Sequence, residues 1–165
     1  MSRKYRNLLS TAAMARVADT TQYASGDIVA NSATAGSVVP IELKAPLFAG
    51  GEGRINAVRL TKSSSSVTAA AFRVHFFRAA PTVTSGDNAA LAISNGVAKG
   101  YLGSVDVTIG QALGDGAFGR ADATIIFETV KPETKIYALI EARGAYTPAS
   151  AESFKIELEL EASRD

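Results

Sequence analysis

His75 is the single histidine of the chain, and cysteine is absent. An imidazole that does catalysis needs a carboxylate to orient it and a nucleophile within hydrogen-bond reach, commonly presented from loops at the end of a scaffold. His75 lies instead inside Ala71-Phe72-Arg73-Val74-His75-Phe76-Phe77-Arg78. Period-two alternation there puts Phe72, Val74 and Phe76 on one face of a strand and the imidazole on the other. Its expected place is a sheet surface or an interface. Without cysteine, thiol nucleophiles, disulfides and cysteine-ligated zinc drop out, and one histidine among carboxylates makes a poor zinc set.

The carboxylates are spaced for structure. Glu157, Glu159 and Glu161 alternate with Ile156, Leu158 and Leu160, which makes them the solvated face of a strand rather than a glycosidase pair. Asp87, Asp115 and Asp122 sit in or near glycine-containing turns, and an oxygen-rich calcium site is the alternative to plain Asx-turn chemistry. Gly50-Gly51-Glu52-Gly53 lacks the lysine and Ser/Thr of a phosphate loop. Arg54, Arg59, Arg73 and Arg78 fall among Phe72, Phe76 and Phe77, a combination that can form a nucleic-acid stacking platform. The pattern of RNA-binding sheets is missing, so the aromatics are expected in the core. No enzyme activity, cofactor or metal is expected.

The chain has 165 residues and a formal net charge of +1. That length fits one domain burying about 70% of its unfolded surface, and near-neutrality gives no global field for nucleic acid or an anionic membrane. Behind Met1-Ser2-Arg3-Lys4-Tyr5-Arg6 the apolar content is too sparse for a secretory leader. No apolar run is long enough for a membrane-spanning helix.

Strand patterns dominate, at Asp27–Asn31, Ser37–Leu43, Arg54–Lys62, Ala71–Arg78, Tyr101–Ile109, Ala121–Thr129, Lys135–Ala142 and Ser153–Glu161. About eight short strands separated by Gly, Pro, Ser and Asp clusters predict an all-β fold. Specifically, the expectation is a two-sheet antiparallel β-sandwich of jelly-roll type over residues 23–165, preceded by a short N-terminal arm over residues 1–22. Ser10 to Ala18 has the composition of a short helix within that arm, and Asn88 to Ile93 of a further helical turn. The last two strands are expected to pair as a hairpin across the loop Arg143–Glu152.

Two surface patches follow. Arg3, Lys4, Tyr5 and Arg6 make the arm basic, and it is expected to reach an acidic patch on a neighbour, such as Glu157, Glu159 and Glu161. Leu47 and Phe48 stand between Pro46 and Gly50-Gly51, where an apolar pair marks a contact or tucks under its own loop. Tyr146, in Ala145-Tyr146-Thr147-Pro148, has the same interface character.

The succession Phe76-Phe77-Arg78-Ala79-Ala80-Pro81-Thr82-Val83, Asp87-Asn88-Ala89-Ala90-Leu91 and Tyr101-Leu102-Gly103-Ser104-Val105 resembles small tailed-bacteriophage virion proteins associated with capsid decoration, or cement. The resemblance covers about the middle third of the chain. It implies a structural virion protein on the capsid surface, assembled in the host cytoplasm, that binds across subunits of the major capsid protein and stabilises the lattice. A homo-oligomer, dimer or trimer, is expected, with no nucleic acid and no membrane as partner. One alternative is a tail or head–tail connector protein. Another is a lectin-like, carbohydrate-binding sandwich, weakened by the absence of tryptophan and left with Tyr101 and Tyr146 as stacking platforms.

Overall fold

The computed structural model describes residues 5–46 and 48–163, with side chains from Asn7 onward. They form two antiparallel sheets packed face to face. In chain order the strands are β1 (Tyr5–Ala15), β2 (Ile28–Val29), β3 (Ile41–Lys44), β4 (Glu52–Lys62), β5 (Ala71–Phe77), β6 (Tyr101–Thr108), β7 (Gln111–Ala112), β8 (Ala117–Glu128), β9 (Lys135–Ala142) and β10 (Ser153–Ser163). The first sheet runs β1-β10-β4-β8-β7; the second runs β2-β9-β5-β6, with β3 on the same side of β9 as β2. The pairings β1 with β10, β3 with β9, β4 with β8 and β5 with β6 are nested, like one long hairpin rolled over itself.

The alternation within each strand decides which face is buried. Phe154, Ile156, Leu158 and Leu160 of β10 meet Phe72, Val74 and Phe76 of β5 in one core, while intervening residues look outward. Phe72 is its hub, edge-to-face with Tyr146 (5.3 Å) and Phe154 (5.2 Å). β9 turns Ile136, Ala138, Ile140 and Ala142 into the core, and its other face is covered in part, around Leu139. Leu139 joins Ile28, Phe77 and Val83 in a second cluster on the outer side of the second sheet, beneath the loop that joins β5 to β6.

Three expectations are corrected. Residues Ser10 to Ala15 are not helical: they belong to β1, in unbroken register with β10 from Tyr5↔Ser163 to Ala15↔Ser153. The helix-forming alanines and Met14 yield to eleven residues of ladder pairing and to the burial of Met14. Residues 5–15 are thus a strand of the sandwich rather than an arm before it. Second, β9 and β10 do not form a hairpin, because they lie in opposite sheets and the 143–152 loop crosses between them. Third, Asn88 to Ile93 forms a turn and isolated bridges, not a helical turn.

The 143–152 end of the sandwich is locked by buried charge. The Arg16 guanidinium donates to Asp87 Oδ2 (2.9 Å), Asp19 Oδ1 (2.8 Å) and the Tyr23 hydroxyl (2.7 Å), while Asp87 Oδ1 accepts from Tyr23 and the Ala30 amide. Beside it Lys62 Nζ lies 3.2 Å from Glu152, whose two oxygens also accept from the Tyr146 hydroxyl. Burial works against the Arg16 charge, yet its hydrogen bonds to Asp19 and Tyr23 hold its pKa above the ordinary arginine value. Burial pushes the Lys62 ammonium down, partly offset by Glu152.

Candidate functional site

His75 does have partners. On the outer face of the second sheet its Nε2 lies 2.6 Å from Glu141 Oε2 and its Nδ1 3.0 Å from the Tyr101 hydroxyl. Arg143 donates to the other Glu141 oxygen (2.8 Å), and Arg73 and Asp106 form a two-point ion pair alongside. Burial raises the Glu141 pKa, but His75 and Arg143 outweigh it and leave the carboxyl below its usual value. With both ring nitrogens and both carboxylate oxygens engaged, this is a polar tie across β6, β5 and β9. Alternation foretold the outward imidazole; the register Arg73↔Glu141 and Phe77↔Tyr101 that supplies its neighbours was not visible locally.

Among the described residues no group of three or more His, Cys, Asp or Glu side chains is placed to hold a metal. Asp87 is committed to Arg16, Tyr23 and Ala30, and Asp122 pairs with Arg120. The aromatics among the arginines, Phe72, Phe76 and Phe77, are buried. Arg54, Arg59 and Arg73 each face a carboxylate.

Those pairings correct the free acidic stripe. Glu157 and Glu159 accept from Arg59, Glu159 also from Arg120, and Glu161 from Arg54. The outer face of the first sheet is an internal charge ladder, not an acidic patch awaiting a neighbour's arm. Arg120 and then Arg59 hold the Glu159 carboxyl down at about 2, from an ordinary 4.5. A folded-state pKa below the unfolded one stabilises above the unfolded value and is lost as pH falls through the folded one. Glu159→Gln is therefore expected to flatten the acid limb of the stability curve between pH 4.5 and about 2, read from urea midpoints at each pH.

Arg3, Lys4 and Leu47 lie outside the described residues. Tyr5 and Arg6 open β1 opposite Ser163 and Ala162, and their side chains are outside the description. Phe48 is 38% exposed in the loop between β3 and β4. That loop is held by Gly50 N–H to Glu133 O and by Thr129 N–H to Gly51 O, so it abuts the turn joining β8 to β9. The starts of β1 and β4 and the ends of β8 and β10 converge at this same end. Gly53 makes the convergence possible, since a Cβ there would stand 2.2 Å from the Glu161 carbonyl and 2.6 Å from Phe127.

Apolar side chains gather at that end. Val130 is 62% exposed in the turn beside the Phe48 loop, and Ile126, 74% exposed, is paired opposite Arg54. Sequence reading found Phe48 but missed Ile126, which looks like an ordinary strand residue, and Val130, just past the predicted strand end, until the topology places them beside the Phe48 loop. Tyr146 is corrected: it is fully buried, with its hydroxyl on Glu152, and burial with that carboxylate raises its pKa. It offers no interface and no sugar platform. Tyr101 keeps an exposed face but leans on Phe77 at 5.2 Å.

No protein-family model matches the chain, and no curated protein matches it. A solved structure aligned with it is that of Triatoma virus, 10% identical across 95% of this chain at a TM-score of 0.20. The chain spans 61% of the length of that structure's chain. A likeness at that score says nothing of fold or function.

Proposed function

We propose that the protein is a structural virion component, a decoration protein seated on the outside of a tailed-phage capsid lattice. It docks on the major capsid protein through the end of the sandwich that carries Phe48 and Val130. The observation behind this reading is the contrast between the two ends. One is tied by buried ion pairs and exposes Val67 and Leu113 in separate loops, whereas the other presents Phe48, Ile126 and Val130 to solvent around two adjoining loops. Clustered exposed apolar side chains mark contact surfaces, and their desolvation is what a protein partner supplies. The nested strand pairing is read here as a jelly roll, an architecture used in capsid proteins among others, and a fold alone does not assign a function. The resemblance of residues 71–107 to decoration proteins supplies the virion. Repetition of one modest contact around a lattice supplies the stabilisation.

Co-sedimentation with purified empty heads tests it. Saturable binding by the full chain, weakened about tenfold or more by Phe48→Asp with Val130→Asp at unchanged β-sheet content, is the expected result. Failure of the folded full chain to bind heads would overturn the capsid assignment, and binding to purified tails instead would move the protein to the tail or connector.

A further inference from the structure

Of the arginines whose side chains are described, Arg16, Arg54, Arg59, Arg73, Arg120 and Arg143 each hold a carboxylate. Arg78 does not. Its Nε is buried with no acceptor, the one side-chain atom among the described residues left so. Its two terminal nitrogens have no partner among those residues either, and they reach solvent. A guanidinium half sunk in the protein without a counter-charge is worse placed than one in water, and an orphaned polar group of this kind calls for an explanation.

The fold holds that guanidinium in place. The Arg78 and Ala79 amides donate to the carbonyls of Gly100 and Lys99 (2.9 and 3.0 Å), so a short ladder continues past the ends of β5 and β6. The side chain lies over Gly100, where a Cβ would stand 2.9 Å from the Arg78 Cβ and 3.4 Å from its Nε. Gly100 has φ +67°, so its conformation and its missing side chain both suit it to this place. Lys99, next on that ladder, also has no carboxylate among the described residues. Glu133, in the turn before β9, accepts from the Tyr137 hydroxyl instead (3.4 Å).

Arg78 stands at the docking end. The registers Phe77↔Tyr137 and Lys44↔Lys135 put Arg78 and the Phe48 loop on the two sides of the start of β9, with β3 and β5 two strand spacings, about 10 Å, apart. Val97, 92% exposed, shares the turn with Gly100, and Tyr101, 46% exposed, follows it.

We infer that Arg78, with Lys99 beside it, is the seat for a carboxylate of the protein partner that covers this end. The two terminal nitrogens of a guanidinium match the two oxygens of a carboxylate in parallel hydrogen bonds. The buried stem and Nε fix them before the partner arrives, which lowers the ordering cost of binding. The surroundings select a protein. Two cations among Val97, Tyr101 and Phe48, on a chain of net charge +1, make no wide basic patch of the kind that holds nucleic acid or an anionic bilayer. Arginine among tyrosine and apolar side chains is the composition of protein contact centres. That the partner is capsid protein rests on the docking reading above; the carboxylate site does not.

Heteronuclear NMR of the Arg78 Nε–H reads the site without a capsid. The probe is the capped tripeptide Leu-Glu-Leu, with Leu-Gln-Leu as control. The expected result is a saturable shift of that resonance by the glutamate peptide below about 20 mM, with the glutamine peptide at least about tenfold weaker. On empty heads, Arg78→Gln at unchanged β-sheet content is expected to weaken binding about tenfold or more. Arg78→Lys should recover only part of it, because an ammonium cannot make the two-point contact. No shift with the glutamate peptide, or equal binding of Arg78→Gln and the wild type to heads, would overturn the inference. Arg78-dependent binding of duplex DNA would overturn it too, by giving the site to phosphate. Failure of the wild-type chain to bind heads strikes the docking reading alone, because the resonance still decides the site.

Discussion

Replacing Arg16 with methionine is expected to lower the free energy of unfolding by about 3–5 kcal/mol, the usual consequence of removing one partner of a buried ion pair. The Arg16 and Asp87 side chains are both inaccessible to solvent. Deleting the guanidinium leaves the Asp87 carboxylate with only the Tyr23 hydroxyl and the Ala30 amide as donors, too little to replace hydration of a full charge. Adding Asp87→Asn removes that stranded charge while keeping an oxygen for the same two donors. The double variant should therefore be more stable than Arg16→Met alone, and a double-mutant cycle reads the coupling. Equal stability of Arg16→Met and the wild type would mean that the cluster does not lock that end of the sandwich.

Phe72→Ala is expected to cost about 3–5 kcal/mol, in the range for emptying a large buried aromatic site. Phe72 belongs to β5 of the second sheet, yet its ring contacts are with Phe154 of β10 in the first sheet and with Tyr146 of the crossing loop. Truncation removes the apolar burial and both edge-to-face contacts at once. The readout is a lower urea midpoint at unchanged slope, with Val97→Ala, at a residue 92% exposed, as a control expected to move by less than about 0.5 kcal/mol. A Phe72→Ala midpoint equal to that control would contradict the placement of the core.

How far the sequence discloses this architecture depends on the element. β10 was legible because one face packs on the core and the other meets water, which writes alternation directly into the chain. β9 was legible as a strand with cover on both faces, but the partial cover around Leu139, the loop that brings Val83, was not. β1 was missed because alanine-rich segments favour helix locally and only a distant partner, β10, overrides that preference. The same limit applies to surfaces. Exposed alternating glutamates looked free until Arg54, Arg59 and Arg120 arrived from neighbouring strands. Tyr146 looked exposed in its loop until Glu152 offered its hydroxyl a buried partner. Phe48 was foreseeable from its flanking Pro46 and glycines, whereas Ile126 and Val130 join it only through the register of β4 with β8.

Hydrogen exchange of the full chain, free and bound to empty heads, tests the docking assignment most directly. The account predicts slowed exchange over residues 44–51 and 126–133, the two loops and strand end around Phe48 and Val130. Protection confined to residues 62–66 and 143–152 at the opposite end, with 44–51 unchanged, would contradict it.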